Sequence, residues 1–154
     1  MYLKKIKFVI ISEIMIDETK IKSFLGQNGI SPLPKRVKIM HYLIERHNHP
    51  TADMIYSDLL SEIPGLSKTT VYNTLKLFTS KRVAVALNIE DNEIRYDADT
   101  AIHGHFKCRV CDGVFDFSLT KEQLPEIPLP GFVIDEYHYY LKGICSSCQN
   151  KGLG

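Results

Sequence analysis

Four cysteines stand in two matched pairs, Cys108-x-x-Cys111 and Cys145-x-x-Cys148, with 33 residues between the pairs and no other cysteine in the 154-residue chain. A two-residue spacer in a tight turn lets both sulfurs of a pair reach one ion, and zinc takes about four thiolates in a tetrahedron. The spacing therefore predicts a single structural Zn(II) site. Two disulfides, or four unrelated buried thiols, are the plainer readings, and matched pairs speak against both. Four thiolates leave no open coordination position, so such an ion holds a fold together and neither catalyses nor senses.

A second set of candidate ligands surrounds the first thiol pair. His103 and His105 lie two residues apart, which on a strand puts both on one face. Asp97 ends the strand before them, and Asp116 lies on the strand after the first Cys pair. Two imidazoles and two carboxylates suit Fe(II), Mn(II) or Zn(II), and the carboxylates balance a divalent charge. The plainer reading is a pair of surface histidines with two strand-end aspartates. A zinc hydrolase built on His103, His105 and an aspartate is the distant alternative, weakened by the lack of a glutamate general base beside the histidines.

The elements that must position these groups begin with four helical segments before residue 80. The first starts near Asp17, buries Ile21, Phe24 and Leu25, and stops at Gly29; the second follows Pro34 and carries Met40, Leu43 and Ile44 at helical spacing. Thr51 caps a third, with Ile55, Leu59 and Leu60 inward, and Ser67 caps a fourth. In that fourth segment, LSKTTVYNTLKLF, Val71, Leu75 and Phe78 form one apolar stripe. Lys68, Thr69, Thr70, Tyr72, Asn73 and Lys76 are turned outward, a set able to touch phosphates and base edges in a major groove. An ordinary solvated face is the plainer alternative. The sequel tips the balance: Val83, Val85, Leu87 and Ile89 alternate, Glu90-Asp91-Asn92 turns, and Glu93 to Asp97 returns as a second strand. Three helices followed by a hairpin predict a winged helix-turn-helix, with double-stranded DNA as partner and Lys35, Arg36, Lys38, Lys81 and Arg82 as flanking phosphate contacts.

Composition alone would not name that partner. Net charge is +1, and the charge balance is +2 up to residue 100 (14 basic, 12 acidic) against −1 beyond it (5 basic, 6 acidic). The opening MYLKKIKFVIISEIMI mixes lysines with an apolar run, but Glu13 and Asp17 follow and no small-residue cleavage pattern is seen. No apolar stretch approaches the roughly 18 residues that span a bilayer, and thiols used for metal suit a reducing compartment, so the expectation is a cytoplasmic chain with no membrane partner. Toward the C-terminus Tyr137, Tyr139 and Leu141 alternate along a strand led by Val133, and Pro125, Pro128 and Pro130 hold the helix after Leu119 to one or two turns.

In order, HPTADMIY, LSKTTVYNTL, RYD, HGHFKC-x-x-C and GICSSC resemble the ferric uptake regulator family of metal-dependent transcription factors, over about residues 30–148. The resemblance implies an α+β homodimer: a winged helix-turn-helix DNA-binding domain over residues 1–97, a hinge over 98–102 and a small α/β dimerisation domain over 103–154. It implies structural zinc on the four cysteines and a regulatory Fe(II) or Mn(II) at the hinge, making the chain a repressor that binds an operator when metal is bound. Asn73 after Tyr72, where iron-uptake members usually carry arginine, and Asp116, where they usually carry glutamate, look like the peroxide-response branch, with His103 the residue to be oxidised. An iron- or zinc-uptake repressor is the alternative. The ligand positions of a further metal site common in uptake members correspond to Ile102, Gly104, Gln123 and Tyr137, so that site is expected to be absent. A family ligand histidine on the second helix corresponds to Val37, which leaves the regulatory set one ligand short, with room for water, an N-terminal group or another residue such as His41 or His138; His41, His47 and His49 otherwise read as helix-surface or capping residues.

Overall fold

The computed structural model describes residues 17–90, 92–123, 128–134 and 136–152. The N-terminal stretch read for leader features, Asp91 of the hairpin turn and Pro125 lie outside these residues. The chain divides into two compact units, one ending at Thr100 and one starting at Ala101.

Each helix of the first unit begins where a side chain or a proline removes the problem of unpaired amide groups. Asp17 opens α1 (Glu18–Gln27) by accepting the Thr19 N–H at 2.9 Å, and that bond holds its carboxyl below the usual range. Pro34, which has no N–H to satisfy, opens α2 (Pro34–Arg46). Thr51 Oγ1 accepts from Met54 N at 3.1 Å to open α3 (Ala52–Leu59), and Ser67 Oγ does the same for Thr70 N at 3.1 Å at the start of α4 (Lys68–Ser80). The apolar stripes meet in one core that includes Ile21, Leu25, Met40, Leu43, Ile55, Val71, Leu75 and Phe78. Leu60 departs from expectation: α3 stops at Leu59, and Leu60, at the helix end, turns out to solvent.

The hairpin follows as expected but starts later. Arg82 takes a left-handed backbone (φ 56°), so the strand begins at Val85. Strands β1 (Val85–Glu90) and β2 (Glu93–Asp97) pair antiparallel, Val85 opposite Asp97 and Leu87 opposite Arg95, with an irregularity in register between Leu87 and Glu90. The loop before α3 joins β2 as well, because Thr51 bridges Arg95 and Tyr96 N donates to Pro50 O at 3.0 Å.

The second unit is a three-stranded sheet of order β4-β3-β5: β3 (Gly104–Cys108) runs antiparallel to β4 (Val114–Phe117) and parallel to β5 (Tyr139–Gly143). A short helix α5 (Ser146–Asn150) ends the described fold. Tyr137 lies before β5 and is exposed, not part of the strand, and the helix expected after Leu119 is a single 3-10 turn at Lys121–Gln123 as far as the described residues go. The buried centre of this unit is Cys108, Cys145 and Cys148, flanked by Phe106 and Ile144. Among the described residues no helix is long and apolar enough to cross a membrane.

Gly104 sits between the two histidines because nothing larger fits: a Cβ there would lie 2.1 Å from the Phe117 ring, its Cα partner across the sheet. Gly104→Ala is expected to cost about 1–3 kcal/mol through overpacking. Thermal unfolding of the zinc-loaded protein reads this loss, and pairing the change with Phe117→Leu should restore part of it.

Candidate metal centres and the exposed helix

The thiols come together because each pair occupies a turn leaving β3 or β5. Cys108 ends β3 and Cys111 follows in the turn to β4, while Cys145 follows β5 and Cys148 lies in α5. All four sulfurs lie within 4.8 Å of one another, and none is in a disulfide. The Cys111 and Cys145 sulfurs are 3.8 Å apart, which matches the ~3.8 Å edge of a tetrahedron with zinc–sulfur bonds of about 2.3 Å and is far beyond a disulfide bond. Cys108 Sγ accepts N–H groups from Cys145 at 3.3 Å and Val110 at 3.5 Å. The backbone N–H of Cys111, then that of Cys145, pulls the Cys108 thiol well down, while burial, then neighbouring thiols, push that of Cys148 well up. One sulfur thus favours the anion and another resists it, so a divalent cation arriving here displaces protons and supplies the charge the buried cluster lacks. Donor type and spacing fit zinc.

Beneath this knuckle, Lys107 is almost wholly buried and its ammonium meets Asp112 twice, at the carboxylate (2.6 Å) and the carbonyl (3.0 Å). Asp112 has the left-handed backbone (φ 62°) that closes the turn. The lysine therefore braces the loop that presents Cys111.

The second cluster in this unit is His103, His105 and Asp116. Asp116 on β4 is the cross-strand partner of His105, and both imidazoles place Nε2 3.5 Å from its Oδ1. The His103 Nδ1 lies 2.8 Å from the Ala101 carbonyl oxygen, which can only accept, so Nδ1 is the donor there and Nε2 is the nitrogen turned toward the carboxylate. Both histidines are buried, with ring centroids 4.4 Å apart. Two imidazoles and a carboxylate converging within one shell form a donor set that a borderline divalent cation fits.

Asp97, in the first unit, has a partner that sequence reasoning set aside. His49 is buried at 4% exposure, with Nε2 3.6 Å from Asp97 Oδ2, whose other oxygen accepts the Asp99 N–H at 2.8 Å. It is neither a surface nor a capping residue. It has a left-handed backbone (φ 46°) just before Pro50, and β2 fixes it from two sides: Tyr96 N binds Pro50 O and the Arg95 guanidinium binds the His49 carbonyl at 3.3 Å. Val37 belongs to the apolar core at 1% exposure, and the imidazole beside Asp97 is that of His49. The replacements considered have other neighbours: His41 lies 3.6 Å from Glu45, and His138 contacts Glu136 and Tyr140. His47 does cap α2.

Along α4, Lys68, Thr69, Tyr72, Asn73 and Lys76 are exposed and Thr70 half-exposed. An open groove of about 470 Å³ runs between the start of α2 and α4, bringing Lys35 and Arg36 together with Thr70 and Asn73. Four of the basic residues are already engaged. Lys68 pairs with Asp53 at 2.8 Å, a bond that raises its proton affinity, and sits over the Tyr56 ring. Lys35 donates to Gly65 O at 2.6 Å, Arg36 to Ser31 O at 3.1 Å, and Lys38 pairs with Glu18 at 3.0 Å.

Fold and clusters together define an α+β protein whose second unit is assembled on metal-ligand side chains. The ferric uptake regulator family profile matches residues 27–136. A peroxide-responsive repressor, PerR, of Staphylococcus aureus is 36% identical over 132 residues, covering 82% of this chain and 88% of that protein. Solved structures share the fold: the Helicobacter pylori ferric uptake regulator (TM-score 0.65, 17% identity, 90% of this chain and 93% of that one) and the Campylobacter jejuni peroxide stress regulator (0.59, 23%, 84% and 97%). The chain belongs to the ferric uptake regulator family, and is a transcriptional regulator and not an enzyme, which removes the hydrolase alternative.

Replacing Cys148 by serine should take the purified protein from about one tightly held zinc per chain to none, as read by elemental analysis. Cooperative unfolding of the second unit should disappear with the ion, because little apolar core remains to replace it.

Proposed function

We propose that the protein is a homodimeric, metal-dependent repressor of the peroxide-response type, with a winged helix-turn-helix that reads double-stranded operator DNA in the cytoplasm. The observation carrying this reading is the pair of buried imidazoles aimed at Asp116, with the His103 ring oriented by the Ala101 carbonyl so that Nε2 faces the carboxylate. In this reading Cys108, Cys111, Cys145 and Cys148 hold structural zinc. A regulatory Fe(II) or Mn(II) is taken by His103, His105 and Asp116 together with Asp97 and, as a fifth ligand, His49. Residues 98–102 form the hinge between a DNA-binding part (1–97) and a dimerisation part (103–154). A cation taken by ligands from both parts restricts the angle between them, and through linkage its occupancy becomes DNA affinity.

Fe(II) held by these residues would supply the electrons that reduce hydrogen peroxide. His103 is the residue expected to receive oxygen: an oxidised imidazole loses its basic lone pair, leaves the ligand set and releases the hinge. Asn73 and Asp116 favour this branch over an uptake repressor. Exposed apolar residues of the second unit, Phe132, Val133 and Leu141 among them, supply a surface for the dimer.

On the DNA side, Tyr72 and Asn73 contact base edges with Thr69 and Thr70, while Lys68, Lys76, Lys35 and Arg36 contact phosphates. Lys68 must exchange Asp53 for a phosphate on binding. Tyr72→Ala should therefore weaken operator binding more than non-specific binding, whereas Lys68→Ala should weaken both and lower the salt slope by about one. Fluorescence anisotropy over a salt series separates the two; equal losses on every sequence would remove α4 as the reader.

Peroxide sensing is tested by loading the protein with Fe(II), adding a low dose of hydrogen peroxide and mapping added oxygen by mass spectrometry. The peptide holding His103 should gain oxygen as operator binding falls, and Mn(II)-loaded protein should be spared. Undiminished operator binding with no added oxygen points instead to an iron- or zinc-uptake repressor.

A further inference from the structure

Next to the imidazole cluster stands an aromatic side chain with its own proton acceptor. The Tyr140 ring lies 6.0 Å, centroid to centroid, from the His105 ring, and residue 140 is the direct β5 partner of residue 105 on β3. Its phenolic oxygen is 3.1 Å from His138 Nδ1, and His138 Nε2 is 3.0 Å from Glu136 Oε2. The two rings of that pair stack at 5.7 Å and 29°. Phenol, imidazole and carboxylate thus form a chain leading from the cluster to solvent, where His138 and Glu136 are exposed.

A phenol is hard to oxidise by electron loss alone, because the cation radical left behind is a very strong acid. Removing the proton in the same step lowers that barrier, and a hydrogen-bonded imidazole backed by a carboxylate is suited to receive it. We propose that Tyr140 is a redox-active residue that competes with the ligand histidines for oxidant produced at the neighbouring cluster. The balance is simple. One electron leaves the Tyr140 ring for a one-electron oxidant of the hydroxyl-radical class, which becomes hydroxide and takes a proton from solvent to become water. The phenolic proton moves to His138 Nδ1, and the imidazolium is held by Glu136, leaving a neutral tyrosyl radical. Each such event spares an imidazole, so Tyr140 raises the peroxide dose needed to damage the metal ligands. This last consequence rests on the peroxide-sensing reading above; the redox activity of the Tyr140–His138 pair does not.

Two arms separate them. In the first, zinc-replete protein without added iron is exposed to a limiting flash of photogenerated tris(bipyridyl)ruthenium(III), and tyrosine oxidation is mapped by mass spectrometry and electron paramagnetic resonance. Tyr140 should carry the largest share among the tyrosines, His138→Gln should take most of that share away, and Tyr139→Phe should leave it unchanged. A Tyr140 share no larger than that of exposed Tyr72, or one indifferent to His138→Gln, overturns the proposal while leaving peroxide sensing standing. In the second arm, Fe(II)-loaded Tyr140→Phe protein is titrated with hydrogen peroxide. Oxygen should reach the His103 and His105 peptides at a lower dose than in the parent, and an unchanged dose overturns the competition. If neither protein gains oxygen there, the sensing reading and the competition fall together, and the first arm alone decides the redox activity of Tyr140.

Discussion

Strand β3 is the constraint on which the second unit depends, because it carries ligands of two kinds on opposite faces. Cys108 ends it facing the other thiols, while His105, three residues earlier, faces Asp116 across the β4 ladder. The period-two alternation of a strand makes this division of labour automatic: residues 104, 106 and 108 share one face and 105 and 107 the other. Buried among few apolar side chains, four thiols are a poor core until a cation neutralises them, so a zinc ion held by them would fix β3 and thereby the separation of His105 from Asp116. The structural ion does no sensing, yet the imidazole cluster inherits its geometry from it.

The two units solve the problem of stability differently. The first closes a continuous apolar core with leucine, isoleucine, valine and phenylalanine from four helices, and its polar bonds sit at helix starts and at the β2 edge. The second has too little apolar surface turned inward for that; Phe132 and Val133 remain 72% and 88% exposed. Small domains in this position need a metal or a partner subunit, and this one offers both a thiolate site and an apolar surface. Lys107 adds a local device, a buried ammonium that ties Asp112 and so keeps Cys111 in reach.

Much of this was legible from residue types and spacing, and the failures are instructive. Helix starts were readable because Asp17, Thr51 and Ser67 are caps with a single local geometry, and the thiol cluster because two matched spacers have few other uses. Hairpin strands announced themselves by alternation. His49 was missed because a lone histidine in a loop has no periodicity to place it; only the bonds from β2 to Pro50 and to the His49 carbonyl show it held beside Asp97. The His-Pro pair was itself a signal, since proline drives the residue before it away from the helical conformation and so ended any reading of His49 as part of α2. Leu60 failed for a related reason: helical periodicity continues past the point where the backbone stops following it. The internal partners of Lys35, Arg36, Lys38 and Lys68 were invisible too, because they lie on other elements or across a turn.

Those internal partners bear on how a metal can control DNA binding. Free lysines would bind any duplex through counterion release, whatever the state of the switch. On the proposed reading, Lys68 held by Asp53 and Lys38 held by Glu18 would give up a carboxylate for each phosphate gained, which would trim the sequence-independent part of affinity. On the function proposed above, what remains would be carried by contacts that need α4 in register with the DNA, the contacts a bound cation would control. A coupling of about 1–3 kcal/mol between cation and DNA changes affinity roughly 5- to 150-fold. Acting on a protein whose unaligned affinity is kept low, a change of that size separates a bound operator from an empty one; acting on a strongly basic surface it would be lost against non-specific binding. If the chain works as proposed, its near-neutral charge, +1 overall, would be part of the switch and no obstacle to it.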